Sequence, residues 1–300
     1  MVSGHAGAGL PILRVRHWRA AAESDEIECV FDTHPELASQ PAVIVLPPCL
    51  SAPPGAQITQ PFISWLRQLH AVGTTIGSVC AGAFLLAETG LLSGRPVTTH
   101  WSFAKTLGER FPDIHVQAEK LIIDDGDIIT AGGVMAWTDL GLTLVDRLLG
   151  PTIASETAHF LVIDLTRHSQ QYFSSFSPKL THGDEAVLKV QHWLRAHGAN
   201  DVTSSAMAAH AGLGERTFLR RFHTATGLRP IEYCQHLRVA KARELLEFTN
   251  RTVEQIAWEM GYQDPGAFRK VFHKVVGLSP RDYRRRFGGS ASTRQAPSEG

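Results

Sequence analysis

The chain has 300 residues, of which 43% are hydrophobic and 19% charged, a composition typical of a globular protein large enough for two domains. Its net charge of zero conceals an asymmetry: residues 1–180 carry 11 Lys and Arg against 17 Asp and Glu, whereas residues 181–300 carry 18 against 12. This composition excludes a disordered or fibrous chain, and no apolar run reaches the roughly 18 residues of a membrane span.

The N-terminal segment MVSGHAGAG has neither the charged start nor the apolar centre of a signal peptide. Four cysteines (Cys29, Cys49, Cys80 and Cys234) are scattered without metal-ligand spacing. A reducing compartment is the simplest interpretation, so we expect a cytoplasmic protein without a metal or cofactor.

The first half of the chain alternates strand-like and helix-like segments, a pattern that predicts a parallel α/β sheet. The apolar run Ala42–Pro47 is typical of a strand covered on both faces, and Asp124-Asp125-Gly126 predicts a hairpin. The predicted strands are Leu13–Arg19, Ile27–Phe31, Ala42–Pro47, Thr74–Val79, Leu121–Ile123 and Ile128–Thr130, and the predicted helices are Phe62–Ala71, Ala83–Leu92 and Trp137–Leu149.

A cysteine stands between the strand Thr74–Val79 and the helix that follows it. Small residues flank Cys80 on both sides, as in a nucleophile elbow, where a tight turn presents the side chain at a helix N-terminus. The helix dipole there predicts a lowered thiol pKa, and His100 in TTHW is a candidate partner. The same residues also fit a small core cysteine and a structural histidine. Trp101 and Trp137 either line a pocket, which would suit a cationic metabolite, or belong to the core.

Residues 166–184 are polar, Ser-rich and aperiodic, which predicts a linker between a domain at 1–165 and a domain at 185–287. Glu185–His197 begins the second domain as an amphipathic helix. Residues 288–300 contain almost nothing to bury and are predicted to be disordered.

Residues 208–233 and 257–283 repeat one pattern: a short apolar helix, a turn with glycine, and a basic helix. That is the plan of the helix-turn-helix, whose second helix enters the major groove of DNA. Gly212 corresponds to Gly261, forty-nine residues later. The pairs separated by fifty residues are Phe218 and Phe268, Phe222 and Phe272, Gly227 and Gly277, Pro230 and Pro280, and Tyr233 and Tyr283.

The apolar spacing predicts which side of each basic helix faces outward. Phe218 and Phe222 share one face and are expected to be buried, as are Phe268 and Phe272. The outward residues are then Arg216, Thr217 and Arg220 in the first helix, and Gln263, Arg269 and Lys270 at the second.

Asp264 is predicted to be the N-cap of the second basic helix, with Pro265 in its first turn. A helix over Ile231–Glu247 would hold the two basic helices near the ~34 Å of one duplex turn. The alternative is an all-α domain with a solvated charged face.

Residues 185–287 resemble the DNA-binding domain of the AraC/XylS family, most specifically in IAWEMGYQDPGAFRKVFHKVVGLSPRDYRRRF. The resemblance implies binding to double-stranded promoter DNA and usually activation, with RNA polymerase as a partner. It places base contacts at Arg216 and Arg220 and in the region of Gly266, Arg269 and Lys270. Arg216 departs from the commoner aromatic or polar residue, which leaves the preferred base sequence open.

SVCAGAFLLAETGLLSGRPVTTHW and ITAGGVMAWTDLGLTLVDRLLGP resemble the PfpI-type, class I glutamine amidotransferase-like domain of GlxA-like regulators. This implies a flavodoxin-like doubly wound domain that forms a homodimer, with Cys80 and His100 at the positions of a catalytic pair. Two features depart from the enzymes. Ala81 replaces a threonine, and the opening strand and helix with their Glu-bearing turn are not visible, as if the first βα unit were missing.

We therefore expect a transcription regulator, in which Cys80, Ala81, His100 and Trp101 line the pocket of a small-molecule effector rather than an active site. We do not expect an enzyme. The alternative is a cysteine-dependent amidase or hydratase with accessory DNA binding. A further alternative is an oxidation sensor based on a Cys80 thiolate.

Overall fold

The computed structural model describes residues 13–21, 26–164, 169–200 and 202–288, and the chain forms two compact units that meet in sequence at Gln170 and Gln171. That point lies inside the segment 166–184 predicted as a linker. Residues from Gln171 onward begin with a 3₁₀ helix over Gln171–Phe173, in which Tyr172 is buried. Of the tail predicted to be disordered, residues 289–300 lie outside the described residues.

The N-terminal unit alternates strands and helices, as predicted. Its strands are β1 (Arg16–Ala20), β2 (Ile27–Asp32), β3 (Val43–Leu46), β4 (Thr75–Val79), β5 (Pro96–Val97), β6 (His115–Val116), β7 (Ile122–Asp124) and β8 (Ile128–Ala131). Its helices are α1 (Ala56–Ala71), α2 (Gly82–Glu88), α3 (Ala104–Arg110), α4 (Trp137–Leu149) and α5 (Pro151–Leu161).

The main sheet has the order β3-β4-β8-β7, in which β3, β4 and β8 are parallel and β7 is antiparallel to β8. Ile76 packs on one face with the core that includes Leu66 of α1 and Phe84 of α2, whereas Val79 packs on the other face with Leu140 of α4. Helices on both faces of a mostly parallel sheet make a doubly wound α/β fold. The fold class predicted from the sequence is confirmed.

The strand over Ala42–Pro47 was predicted to be covered on both faces, and this is wrong. β3 is the last strand on its side of the sheet within the described part of the chain, and Val45 is 46% exposed. An apolar run cannot distinguish a central strand from an edge strand. The predicted helix Ala83–Leu92 is also too long, because α2 ends at Glu88 and Gly90 follows with φ +74°.

The C-terminal unit is helical. Its helices are α6 (Glu185–His197), α7 (Ser204–Ala211), α8 (Glu215–Thr226), α9 (Pro230–Phe248), α10 (Val253–Glu259), α11 (Pro265–Val276) and α12 (Pro280–Phe287). Within the described ranges, none of the helices of the chain combines the length and apolar character that a bilayer span needs.

The sequence repeat is also a repeat of packing. Phe222 meets Tyr233 edge to face, with ring centroids 5.3 Å apart. Fifty residues later, Phe272 meets Tyr283 edge to face at 5.6 Å. All four rings are at most 1% exposed, so each repeat has its own aromatic core. The helix α9 contributes to both cores and therefore joins the two helix-turn-helix units.

Candidate nucleic-acid interface and elbow cysteine

The first recognition helix is α8, and its buried face is fixed by Phe218 and Phe222, both 0% exposed. Arg216, Thr217 and Arg220 are all exposed, as the apolar spacing predicts. Among the described residues, the guanidinium groups of Arg216 and Arg220 have no ion-pair partner. Two uncommitted arginines on one helical face are suited to phosphate or guanine contacts.

The neighbouring arginine has a different role, which the sequence reasoning missed. Arg221 donates to both carboxylate oxygens of Asp184, at 2.8 and 2.7 Å. Asp184 is the N-cap of α6, and the hydrogen bond from Arg221 lowers the pKa of its carboxyl group. Arg221 therefore joins two helices rather than facing outward. Its counterpart Val271 in the second repeat is apolar, and this signal was available in the sequence.

The second recognition helix is α11, and its N-terminus is built as predicted. Asp264 accepts hydrogen bonds from the backbone N–H groups of Gly266 and Ala267, at 2.7 and 3.0 Å, and Pro265 follows it. Gln263 and Lys270 are exposed, and Gly266 is half-buried in the first turn.

Arg269 also lies on the outer surface of α11, but its guanidinium is not free. It forms an ion pair with Glu254 of α10, in which both side chains remain about half exposed. Exposed pairs of this kind are worth little stability, so the guanidinium can leave the carboxylate for a stronger partner.

A short segment, Gln171–Phe176, contacts both helix-turn-helix cores. Tyr172 belongs to the second core, and its ring lies 4.3 Å from the guanidinium of Arg286. Phe176 stacks on His236 in the first half of α9, at 4.9 Å. Arg243 also donates to the carbonyl of Tyr172 at 3.0 Å. The polar, aperiodic sequence of this segment gave no signal for these contacts.

In the N-terminal unit, the turn at Cys80 has the backbone geometry of an elbow. Cys80 has φ +54°, a left-handed conformation that non-glycine residues rarely adopt. Its N–H donates to the carbonyl of Ala131 at 2.8 Å, and Thr99 Oγ1 donates to its carbonyl at 2.8 Å. At Gly82, a Cβ would lie 2.6 Å from the carbonyl oxygen of Leu46, so the turn requires glycine there.

The predicted thiolate at Cys80 is wrong. The residue is 1% exposed, and burial raises the pKa of its thiol. A backbone hydrogen bond from Ala81 acts in the opposite direction but is the smaller effect. Helix α2 has only seven residues, so its N-terminus does not outweigh the loss of water around the sulfur.

His100 does not complete a nucleophile and base. Its Nδ1 is hydrogen-bonded to Ser102 Oγ at 2.6 Å, and its ring packs against Trp101 with centroids 5.2 Å apart. Burial lowers the pKa of the imidazole, which is therefore neutral near pH 7. In the described part of the chain, no hydrogen bond joins the imidazole to the Cys80 sulfur. The elbow holds a protonated thiol beside a neutral ring.

Gln170 holds the loop that carries His100 and Trp101. Its side chain is 2% exposed, donates to the carbonyl of Thr99 at 2.6 Å and accepts from the N–H of Trp101 at 3.3 Å. It lies against Gly132, where an added Cβ would be 2.6 Å from Gln170 Nε2. The sequence reasoning placed Gln170 in the linker and missed this role.

Comparisons with known proteins match both halves of the chain. Residues 19–147 match the DJ-1/PfpI family and residues 207–286 match a helix-turn-helix domain family. The chain is 32% identical to the HTH-type transcriptional regulator ArgR of Pseudomonas aeruginosa over 75% of its own length and 69% of that protein. It is 29% identical to the regulator CdhR of the same organism, over 74% and 66% of the two chains. Identity to the regulator GlxA of Rhizobium meliloti is also 29%, over 74% and 69%.

Proposed function

Because this chain belongs to the AraC-type family of DNA-binding transcription regulators with an N-terminal DJ-1/PfpI domain, we propose that it binds a promoter through both recognition helices and responds to a small metabolite. The observation that supports two-site binding is the matched pair of cores, each holding a basic helix with its apolar face inward. Two rigid reading units joined by one continuous helix suit two successive major grooves.

The test compares two adjacent arginines of α8 that carry the same charge but differ in exposure and in partner. Arg220 is exposed with an uncommitted guanidinium, whereas Arg221 is held by Asp184. Arg220→Ala should weaken binding to a specific duplex by about 1–3 kcal/mol, or roughly 5- to 150-fold. Arg221→Ala removes the same charge and should change affinity by less than about threefold, because its guanidinium does not face outward.

Binding is measured by fluorescence anisotropy on the upstream region of the protein's own gene and on a random duplex, over a range of salt concentrations. Phosphate neutralisation predicts a steep fall in affinity with salt for both duplexes. Equal affinity for the two duplexes at moderate salt would contradict sequence-specific binding, and equal effects of the two substitutions would contradict the assignment of Arg220.

The effector is proposed to bind beside His100 and Trp101, near the carboxyl end of β4, where doubly wound sheets bind ligands. Cys80 and Ala81 are at most 1% exposed, so they form the floor of such a site and do not contact solvent. A thermal-shift screen of amino acids and quaternary amines should find a compound that stabilises the protein. Trp101→Ala should abolish that shift while DNA binding persists, and an unchanged shift would place the effector elsewhere.

The protein is proposed to be a cytoplasmic activator that dimerises through its α/β unit and contacts RNA polymerase. Three consecutive apolar residues at the end of α5 support an interface, because Phe160, Leu161 and Val162 are 70%, 51% and 91% exposed. Phe160→Glu should yield monomers in sedimentation experiments. Val72→Glu, at an apolar residue that is 60% exposed after α1, is the control and should leave the dimer intact.

The amidase or hydratase alternative has less support, because the Cys80 thiol is buried and its pKa is raised. Cys80→Ser should therefore leave the response of the promoter to the effector unchanged. Turnover of a model amide that Cys80→Ser abolishes would instead favour the enzyme.

A further inference from the structure

The two recognition helices differ in chemistry at several positions, and one of these differences carries a charge partner. With the offset of fifty residues, Leu219 of α8 corresponds to Arg269 of α11. Arg269 forms an ion pair with Glu254, whose counterpart in the first repeat, at the offset of forty-nine that applies before the turn, is Ser205. The first repeat thus has an uncharged pair where the second has an ion pair.

Leu219 is not needed for the core of its repeat. Phe218 and Phe222 fill that core, and Leu219 is 37% exposed. Leu219 and Arg220 lie three and four residues after Arg216, so both adjoin Arg216 on the outward side of the helix. Leu219 also lines an open groove of about 720 Å³ together with Pro230 and the exposed Ile231. The exposed Leu219 therefore stands between two exposed arginines and outside the buried core of its repeat.

Resting on the proposed function, we propose that Leu219 determines specificity by contacting the 5-methyl group of a thymine in the first half-site. Thymine is the base whose major-groove edge carries a methyl group, and apolar side chains recognise that group. A leucine has no donor or acceptor with which to read the other bases. At the equivalent step of the second half-site, Arg269 would favour guanine. The two half-sites then carry different bases at the equivalent position, thymine in the first and guanine in the second.

The experiment uses deoxyuridine, which differs from thymidine only by the absence of the methyl group. A specific duplex is selected from a random pool with the full chain, and each thymine of the first half-site is replaced singly. At one thymine, the replacement should weaken binding about fourfold. This is the change in affinity that corresponds to losing the burial of one methyl-sized group, which contributes about 0.8 kcal/mol. In Leu219→Ala, thymidine and deoxyuridine at that position should bind equally well.

Two further variants separate base reading from other roles of Leu219. Leu219→Met keeps an apolar side chain of similar size and should keep the deoxyuridine effect. Ile231→Ala removes apolar surface from the same groove at a residue of α9 rather than of the recognition helix, and it should also keep the effect. Loss of the effect in Ile231→Ala would assign the discrimination to the groove and overturn the proposal.

Exchange of the residues between repeats gives a positive test. The double variant S205E/L219R recreates the second repeat's ion pair in the first repeat and should change the preferred base at that position from thymine to guanine. The proposal fails if no thymine of the first half-site is sensitive to deoxyuridine, or if Leu219→Ala retains the sensitivity. Selection of no duplex at all by the wild-type chain would refute the proposed function instead.

Discussion

Two substitutions of the buried Gln170 are predicted to destabilise the N-terminal unit to different degrees. Its Nε2 faces three acceptors: the carbonyls of Thr99 at 2.6 Å and Lys120 at 3.2 Å, and Thr98 Oγ1 at 3.2 Å. Gln170→Ala deprives the Thr99 carbonyl and the Trp101 N–H of their partner, at about 1–3 kcal/mol for each buried group left unpaired. Gln170→Glu should cost more, because it places a carboxylate oxygen against these acceptors in a site that is 2% exposed.

Hydrogen exchange measured by mass spectrometry is the appropriate assay, because it reports on the N-terminal unit separately from the helical one. Peptides covering residues 96–131 should exchange faster in Gln170→Ala and fastest in Gln170→Glu, whereas peptides of α8 and α11 should not change. If Gln170→Glu protects this region as well as wild type does, the amide does not donate to these carbonyls and the reasoning is wrong.

Three further predictions concern single sites. Asp264→Ala should lower the unfolding free energy of the C-terminal unit by about 0.5–2 kcal/mol, and Asp264→Asn, which keeps a cap, should restore most of it; chemical denaturation checks both. Gly82→Ala should destabilise the N-terminal unit by at least about 1–3 kcal/mol, because its Cβ would meet the Leu46 carbonyl, whereas Gly108→Ala in α3 has room and should stabilise slightly. Burial lowers the pKa of His236. As the pH falls, the unfolded chain therefore takes up the proton before the folded chain does. At pH values below about 6.5, the denaturant concentration at the unfolding midpoint of the C-terminal unit should decrease, and it should decrease less steeply in His236→Phe.

The recognition helices were predictable because the chain encodes them twice. Matched Phe, Gly and Pro positions fixed both the buried face and the turn, and Asp264 before Pro265 marked the start of α11. Long-range pairs were not predictable in this way. The partners Arg221 and Asp184 are 37 residues apart, and their pairing depends on how α6 packs against α8.

The elbow shows why local pattern predicts geometry better than chemistry. Small residues around Cys80 predicted a tight turn, and its positive φ agrees. The predicted thiolate required the sulfur to remain near water, and the sequence carries no signal for that. Burial raises the thiol pKa instead. The turn is held by Thr99, 19 residues from Cys80, and Thr99 is in turn held by Gln170, 71 residues further on.

The boundary between the two units falls between two glutamines, each of which is hydrogen-bonded within its own unit. Gln170 hydrogen-bonds to the loop beside the elbow, and the next residue, Gln171, donates to the carbonyls of Lys274 and Val275 in the last turn of α11. A polar, Ser-rich sequence is therefore a poor guide to flexibility, because its amides can form hydrogen bonds within a folded unit.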